Sequence, residues 1–427
     1  MRARLFLHAY GVFDYMLNKK IFSPLVDTQP YDPDQLETLK TRALKNLGTF
    51  STTHMVPEVE SYFMQFLLLN GVDQCAYPEL EYQITQCEAF FLQLFHAPSH
   101  TPHHCFPTSG SSEAIFLSLL MMKKAHQKKK SSPQNSPNLI LSPFAHMAFK
   151  AAAQALDIEI RQWHADRDNL VLEQSIPTLI DQNTIGFVCS LGNPTTLAFD
   201  DIARYNTLLA SHYAKTGQFI PIHVDAASGG FIAPFYYPYL TWDFRLTHVQ
   251  AINVSSHKFG LVYPSLGWLC VSQALCNETS YHEHDYLGKK MNRVPLHFSH
   301  SASHIAAQYQ NLQILGKAGY QEITLSLYEH LSYLKDKMQL LNYFSFPFSH
   351  SECALPGLIF TIPNEKNKPL EHLARFLNER SWHLPTFPHP LKNQERSVAR
   401  IIVRQGMTYS VINHLLNDLE SFILTNL

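Results

Sequence analysis

The chain has 427 residues, of which 45% are hydrophobic and 16% charged, and its formal net charge is −2. These proportions exclude collagen-like and disordered classes, and the near-neutral charge gives no electrostatic reason to expect a nucleic-acid partner. The length suits one large domain and one smaller domain.

The cysteine content and the N-terminus bear on location. Seven cysteines, an odd number without a CxxC pair, predict reduced thiols and a cytoplasmic protein. Near the N-terminus, His8 and Asp14 interrupt an apolar stretch, and no small-residue cleavage site follows it. No other apolar run is long enough to cross a bilayer, so we predict no membrane insertion.

The elements predicted before residue 140 are helical. Apolar residues recur at helical spacing from Leu36 to Leu94, and the pair Asn70-Gly71 interrupts the pattern. The following region, from Leu139 to Leu269, alternates short apolar runs with helical patterns. The runs of strand length are 139–141, 186–189, 219–224 and 251–254, and the helical patterns are 144–156 and 202–213. This alternation predicts a mostly parallel α/β sheet whose functional residues lie at the carboxyl ends of the strands.

A different pattern begins near Gly319. It indicates a long helix, a strand near 358–360, a helix near 370–380, a strand at 399–403 and a closing helix. These elements predict a small α+β domain. The predicted organisation is an N-terminal segment 1–45, a large domain 46–327 and a C-terminal domain 328–427.

A lysine follows the last of the predicted strands, in the motif Ser255-Ser256-His257-Lys258. Burial disfavours the charged form of an amine, so a lysine at the end of a buried strand can supply the neutral amine that a Schiff base requires. Taken alone, the motif also fits an ordinary surface lysine at a strand end.

Two further motifs have the chemistry to bind a phosphorylated aromatic ring. Ser111 and Ser112 open an apolar-periodic helix after Gly110, and free N–H groups and hydroxyls at a helix start bind phosphate. Asp225 ends an apolar strand, where a carboxylate can pair with a pyridinium nitrogen. A plain helix cap and a turn residue are the respective alternatives.

Two histidines complete this set of candidates. His146 precedes a predicted helix and can lie flat on a cofactor ring, although a structural histidine fits the same position. His257 stands beside Lys258 and can donate a hydrogen bond to a phosphate group.

In this order, the motifs resemble those of pyridoxal-phosphate-dependent group II amino-acid decarboxylases, most closely the bacterial and plant glutamate decarboxylases. The strongest similarity lies in HVDAASGGFIAPF from His223, WDFRL from Trp242 and HKFGLVYPSLGW from His257. It extends from about Asn46 to Arg404. The resemblance implies the type I fold of pyridoxal-phosphate enzymes, the aspartate aminotransferase-like fold, with helices on both faces of the sheet.

The resemblance also implies roles for individual residues. Lys258 is the Schiff-base lysine, Asp225 the partner of the pyridinium nitrogen, and His146 the residue that stacks on the ring. The other cofactor-binding residues are Ser111, Ser112, Ala227, His257, Thr195, Thr196 and Ser299. The family supplies the serine at the position of Ser299 from the partner subunit, which implies a homodimer with shared active sites and leaves higher assembly open.

Substrate-binding residues follow from the same resemblance. Thr49, Phe50, Asn70 and Asp73 match segments that meet the distal carboxylate of glutamate, with Asp73 sharing a proton with it. Arg400 matches an arginine that holds the α-carboxylate in a bidentate fork. An ordinary turn at Asn70-Gly71 and a structural salt bridge of Arg400 are the alternatives.

The resulting functional hypothesis is decarboxylation of L-glutamate to 4-aminobutyrate and carbon dioxide, through a Schiff base on Lys258 and a quinonoid intermediate. Residues 281–294 match a mobile flap, and His257 and Tyr286 are candidate proton donors. His282 and His284 alone are too few to predict a metal site. The alternatives are action on another amino acid, carbon–carbon cleavage of a phosphorylated amino alcohol, and a weakly active scaffold protein.

Three positions depart from the family pattern. Pro194 replaces a cofactor-contacting threonine, and Thr195 and Thr196 follow it directly. Ser256 replaces a glycine, and His300 replaces an arginine. These departures motivate the scaffold alternative, while Lys258 and Asp225 favour an active enzyme.

Overall fold

The structure is a computed structural model of the chain. It describes residues 33–73, 75–129, 136–163, 176–276, 282–284, 291–293, 296–348, 353–363, 370–388 and 397–426. The chain divides into two compact units, Met1–Ala43 and Leu44–Leu427.

Within residues 33–102 that the structure describes, three helices precede the first strand of the sheet. They are α1 (Pro33–Leu44), α2 (Pro57–Phe66) and α3 (Pro78–Leu94). Each begins with a proline, which suits a first helical position because the N–H group there has no partner within the helix. Buried residues of α2 and α3, among them Val59, Leu80 and Phe91, belong to the main hydrophobic core.

The described residues form a seven-stranded sheet with the order β1-β7-β6-β5-β4-β2-β3. The strands are β1 (His103–Thr108), β2 (Asn138–Leu141), β3 (Glu159–Gln162), β4 (Thr184–Ser190), β5 (Ile222–Asp225), β6 (Val249–Ser255) and β7 (Gly267–Ser272). The pairs from β3 to β6 are parallel, and β7 runs antiparallel to both of its neighbours. β7 reverses because only a short, non-helical connection, residues 256–266, joins it to β6.

Helices cover both faces of this sheet. They are α4 (Ser111–Lys129), α5 (Met147–Ala155), α6 (Ile176–Leu179), α7 (Ile202–Thr216), α8 (Ala233–Tyr236) and α9 (Gln273–Cys276). Leu139 and Leu141 belong to one buried cluster, whereas Ile140 between them belongs to the other. Since successive strand residues point to opposite faces, both faces of β2 are buried. The predicted α/β sheet with helices on both faces is confirmed.

The C-terminal elements include a second, three-stranded antiparallel sheet of order β10-β12-β11. They are α10 (Ser303–Leu340), β10 (Gly357–Phe360), α11 (Leu370–Asn378), β11 (Thr386–Pro388), β12 (Ser397–Ile402) and α12 (Tyr409–Asn426). Helix α10 starts before the predicted position and kinks at Gly316, which has a φ of 53°. The boundary predicted between residues 327 and 328 lies inside α10, and the division into a large and a small domain stays a prediction.

The predicted flap contains a short backbone hairpin of β8 (His282–His284) and β9 (Met291–Arg293). Tyr286, a candidate proton donor, lies outside the described residues. None of the helices in the described ranges combines the length and apolarity that a membrane span requires.

Candidate active site

Lys258 lies in the turn that follows β6. Its Nζ atom donates a hydrogen bond to Oγ of Ser228 over 3.0 Å and lies 5.4 Å from the centre of the Phe50 ring. Burial lowers the pKa of Lys258, Asp225 opposes this shift, and Arg400 adds to it. A lysine with a lowered pKa offers more neutral amine for attack on a carbonyl carbon.

Asp225 is the last residue of β5 and is 7% exposed. Its Oδ1 atom accepts hydrogen bonds from the backbone N–H of Ala227, at 3.1 Å, and from Nδ2 of Asn253, at 2.9 Å. Because both bonds end at Oδ1, the Oδ2 atom remains for a donor from a ligand.

A chain of buried polar groups continues behind Asp225. Oδ1 of Asn253 lies 2.6 Å from Nε2 of His223, and Nδ1 of His223 lies 2.7 Å from Oγ of Ser118 on α4. Burial lowers the pKa of His223, so its ring is neutral at neutral pH. Asn253 and Ser118 were not predicted from the sequence as residues of the site. The sequence contained a pattern that indicates Asn253: it stands two residues before Ser255, so the two polar side chains share the face of β6 that meets α4.

The start of α4 has the features of a phosphate site. Ser111 and Ser112 are its first residues, where N–H groups have no partner within the helix. Gly110 has a φ of 151°, a region that favours glycine. Oγ of Ser111 lies 2.7 Å from Oγ of Ser255, which ties this helix start to the end of β6.

His257 lies beside this helix start. A Cβ atom at Gly110 would lie 3.4 Å from Cε1 of His257. Nδ1 of His257 bonds the carbonyl oxygen of Leu266 at 3.0 Å, so Nε2 carries a hydrogen only when the ring is protonated. Burial, followed by Lys258, lowers the pKa of His257 to about 4. A hydrogen bond from Nε2 to a phosphate therefore requires the phosphate charge to raise that pKa.

His146 forms the N-cap of α5. Its Nδ1 atom accepts a hydrogen bond from the backbone N–H of Ala148 over 3.1 Å. Burial lowers the pKa of His146, Asp225 raises it, and Lys258 lowers it. These interactions bring His146 within electrostatic reach of both Asp225 and Lys258.

Arg400 approaches from β12. Its Nη1 atom donates to the carbonyl oxygen of Pro194, and its Nη2 atom donates to that of Gly48 at 2.9 Å. Burial lowers the pKa of Arg400 to about 10, which leaves it charged at neutral pH. None of the carboxylates in the described ranges forms an ion pair with Arg400, and its buried Nε atom has no hydrogen-bond partner. Among the described residues, carbonyl oxygens rather than carboxylates therefore hold this side chain.

Phe50 lies against both cations. The Cζ atom of Arg400 is 4.7 Å from the centre of the Phe50 ring, and Lys258 Nζ is 5.4 Å from the same centre. The backbone N–H of Thr52 donates to the carbonyl oxygen of His257 over 2.9 Å, which fixes this segment beside the lysine turn. Oγ1 of Thr49 accepts from the N–H of Ser51 at 3.2 Å, so the predicted Thr49-Phe50 pair lies at this site.

Asn70 and Asp73 belong to a second cluster, to which the backbone of His300, the residue after Ser299, is bonded. Oδ1 of Asn70 accepts from the N–H groups of Val72, at 3.3 Å, and His300, at 3.4 Å. Asp73 closes a turn by accepting from the N–H of Ala76 at 3.2 Å. In the part of the chain that the structure describes, no hydrogen bond joins the side chains of Asn70, Asp73 and Ser299 to Lys258, Asp225 or Arg400.

The two threonines after Pro194 differ in their surroundings. Thr196 is 3% exposed, and its hydroxyl accepts a 2.7 Å bond from Nδ2 of Asn193. Its hydroxyl oxygen is therefore used within the loop, while the assignment of Thr196 to the cofactor stays a prediction. Thr195 is partly exposed, and its backbone N–H donates to Oδ1 of Asn193 at 3.0 Å.

The other two departures have local explanations. The hydroxyl of Ser256 accepts a 3.0 Å bond from Nε1 of Trp268, and both residues are fully buried. The serine therefore points into the core, away from Lys258. His300 bonds the carbonyl oxygen of Phe298 at 2.7 Å and packs so closely on Gly71 that a Cβ atom there would lie 2.5 Å from its ring.

The residues near Lys258 fit a phosphorylated, nitrogen-containing aromatic aldehyde. A buried amine faces one end, Asp225 Oδ2 is available to a ring nitrogen, and the start of α4 offers N–H groups to a phosphate. The structure describes no group of three or more His, Cys, Asp or Glu side chains that can hold a metal ion.

Comparison with known proteins gives matches over most of the chain. The family model of the pyridoxal-dependent decarboxylase conserved domain matches residues 22–362. Glutamate decarboxylase 5 of Arabidopsis thaliana is 33% identical over 88% of this chain and 78% of that protein. Glutamate decarboxylase beta of Listeria innocua is 31% identical over 96% of this chain and 89% of that protein. The solved structure of a Lactobacillus brevis glutamate decarboxylase superposes with a TM-score of 0.84 at 29% identity, covering 95% of each chain.

Proposed function

The chain belongs to the pyridoxal-dependent decarboxylase family, and from that premise we propose that it converts L-glutamate to 4-aminobutyrate and carbon dioxide, with pyridoxal phosphate as cofactor. The resemblance seen in the sequence, and with it the type I fold, is confirmed. The observation that carries the proposal is the placement of Lys258 and Arg400 against Phe50, with Asp225 within electrostatic reach of Lys258, in a chain similar to several glutamate decarboxylases.

Four groups would hold the cofactor. Lys258 supplies the amine for its aldehyde carbon, Asp225 pairs with its ring nitrogen, the first residues of α4 bind its phosphate, and His146 covers its ring. When bound, the cofactor accepts the electron pair that the departing carboxyl group leaves on the α-carbon. Asp225 maintains this capacity because its negative charge favours a protonated ring nitrogen.

Arg400 has the position and charge to bind the α-carboxylate of the substrate. Its guanidinium is fixed by the carbonyl groups of Pro194 and Gly48, so it approaches the lysine turn in one orientation. A guanidinium binds a carboxylate through two parallel N–H donors, which orients the bond to be broken. Phe50 shields both cations from water and thereby strengthens their electrostatic interactions.

The distal carboxylate would be bound by Thr49 and by Asn70 and Asp73. Thr49 lies in the segment tied to His257, whereas Asn70 and Asp73 lie in the second cluster, to which the backbone of His300, next to Ser299, is bonded. We propose that this second cluster completes the active site of a partner subunit in a homodimer. An amide and a protonated carboxyl can donate to the substrate, which favours glutamate over apolar amino acids. We also propose a cytoplasmic location, because no disulfide joins any of the seven cysteines, all of which lie within the described residues.

Cofactor attachment is the first test. We expect the protein purified with pyridoxal phosphate to absorb visible light, and borohydride reduction to fix the cofactor mass on the peptide that contains Lys258. The variant Lys258→Ala should lose both signals. A band that persists in this variant would overturn the assignment. Carbon dioxide release from glutamate, aspartate, tyrosine and tryptophan then tests the substrate. If another of these amino acids is decarboxylated and glutamate is not, glutamate is not the substrate.

Shared active sites can be tested by complementation. In a mixed dimer of Lys258→Ala and Asn70→Ala subunits, one of the two sites contains both an intact lysine and an intact asparagine. We expect co-expression to restore activity above that of either variant alone. If activity never exceeds that of Asn70→Ala, each site is built from one chain and the proposed sharing is wrong.

A further inference from the structure

We propose that Asn253, held in place by His223 and Ser118, is a positioning residue that fixes the orientation of the Asp225 carboxylate. Through Asp225, it sets where the proton lies between that carboxylate and the nitrogen of the cofactor ring. This inference rests on the proposed function, since it concerns the same bound cofactor.

The four side chains form one continuous hydrogen-bonded row. Asn253 Nδ2 lies 2.9 Å from Asp225 Oδ1, Asn253 Oδ1 lies 2.6 Å from His223 Nε2, and His223 Nδ1 lies 2.7 Å from Ser118 Oγ. His223, Asn253 and Ser118 are fully buried, and Asp225 is 7% exposed. Water therefore does not compete for these bonds, and each group depends on its neighbour in the row.

The chemistry of the groups fixes the direction of every bond. A carboxylate only accepts, so Asn253 must donate through Nδ2 and accept through Oδ1. His223 must then carry its hydrogen on Nε2. Because burial keeps the ring neutral, Nδ1 is an acceptor and Ser118 donates to it. If the Asn253 amide were reversed, its oxygen would face the Asp225 carboxylate and its NH2 group would face the N–H of His223. Both contacts are repulsive, so the amide has one orientation.

This row connects two parts of the candidate site. Ser118 lies seven residues after Ser111 on α4, and in an α-helix that spacing places both residues on one face. Ser111 contacts Ser255 on the strand that also carries Asn253. The helix whose start would bind the phosphate is therefore bonded to the group that orients the ring partner.

The effect on the cofactor follows from the donors at Oδ1. Asn253 and the Ala227 backbone both donate to this atom, so together they hold the carboxylate in one orientation with Oδ2 toward the ligand. Without Asn253, this orientation is lost, and the ring nitrogen loses the well-placed carboxylate oxygen that favours its protonated form. The ring then loses part of the positive charge that makes it an electron acceptor.

The test uses holoenzyme loaded with pyridoxal phosphate that carries nitrogen-15 in its ring. In Asn253→Leu, we expect the ring nitrogen signal to move from the pyridinium position toward the neutral pyridine position, and kcat to fall about tenfold or more, as for loss of a hydrogen bond to a charged group. His223→Leu should behave similarly. His223→Gln keeps a donor for Asn253 and should retain the wild-type signal.

Asn138→Leu is the matched control. Asn138 is also fully buried in the sheet and also bridges a carboxylate, Asp181, and a second polar side chain, Thr184. It lies at the start of β2, outside the candidate site. We expect this variant to lose stability in urea while the ring nitrogen signal stays at its wild-type position.

The outcomes separate this inference from the proposed function. A wild-type nitrogen signal in Asn253→Leu and in His223→Leu, with activity falling only as far as stability falls in Asn138→Leu, would overturn the positioning role. If Asn253→Leu does not fold, the His223→Leu and His223→Gln pair gives the same decision. If the wild-type protein forms no Lys258-dependent visible band, both proposals are overturned.

Discussion

Gly267→Ala should weaken cofactor binding without unfolding the protein. Gly267 begins β7 and pairs with Thr108 and Ser255. A Cβ atom at this position would lie 2.8 Å from the carbonyl carbon of Gly110 and 3.0 Å from the nitrogen of Ser111. Both atoms belong to the backbone, so no side-chain rotation relieves the contact.

The size of the effect follows from what must move. Ordinary van der Waals contact begins near 3.4 Å, so the backbone of Gly110 and Ser111 must shift at the start of α4, where N–H groups would bind the phosphate. Loss of one hydrogen bond to a charged group costs about 1.5–3 kcal/mol. That corresponds to an increase of about tenfold to hundredfold in the dissociation constant of the cofactor.

Titration of apoprotein with pyridoxal phosphate, followed by visible absorption, measures this constant. Gly186→Ala is the control, because a Cβ atom there would meet the flexible end of Met122 at 2.6 Å, on β4 and away from the helix start. We expect near-normal binding in the control. A dissociation constant within twofold of wild type in Gly267→Ala, or equal weakening in both variants, would refute the phosphate site at α4.

Three other predictions concern substrate and pH. Arg400→Lys keeps the charge but loses the two-pronged donor, so KM for glutamate should rise about tenfold or more in steady-state assays while cofactor binding stays normal; an unchanged KM would contradict the role of Arg400. Asn70→Ala should also raise KM for glutamate, and equal turnover at low substrate would remove our account of the distal carboxylate. Burial raises the pKa of Glu88 from 4.5 to about 7. Between these two pH values, the folded state holds a proton that the unfolded state has released, so the free energy of unfolding should fall as pH rises from 4.5 to about 7. In Glu88→Gln, the decrease in the free energy of unfolding between pH 5 and pH 8 should be smaller by about 2 kcal/mol, a value reduced for partial exposure of the side chain. Urea unfolding of both proteins at the two pH values measures it. An equal pH dependence of wild type and variant would contradict the assignment.

Sequence patterns predicted the strands that are buried on both faces. The apolar runs 139–141 and 251–254 lie within β2 and β6, because continuous burial requires continuous apolar sequence. The reversed direction of β7 was not predicted, since periodicity reports burial and carries no information on strand direction. The start of α10 was also placed too late, because the kink at Gly316 interrupts the helical pattern.

The candidate site was predicted in part. Lys258, Asp225 and Arg400 stand at strand ends or on strands with recognisable neighbours. The structure places Lys258 and Arg400 against Phe50, and Asp225 acts on the charge of Lys258. Thr196 was assigned to the cofactor from its place in the sequence, which stays a prediction, and the bond that its hydroxyl accepts from Asn193 was not predicted. Contacts of this kind depend on side-chain direction within a loop, which spacing along the chain does not determine.

Polar partners between elements were the hardest to predict. Ser228, which accepts from Lys258, is distant from it in sequence, and Asn253 meets Asp225 only because β5 and β6 are neighbours in the sheet. Ser256 departs from the family pattern in sequence, and the structure gives the reason: its hydroxyl accepts a hydrogen bond from the buried Trp268 side chain.

The central claim is that the holoenzyme removes the α-carboxyl group of glutamate. Glutamate carrying carbon-13 only in its α-carboxyl group should release labelled carbon dioxide, with one equivalent of 4-aminobutyrate formed, and Lys258→Ala should release none. Glutamate labelled only in its distal carboxyl group should give labelled 4-aminobutyrate and unlabelled carbon dioxide. Absence of carbon dioxide from the loaded wild-type enzyme, or release of the distal label, would contradict the account.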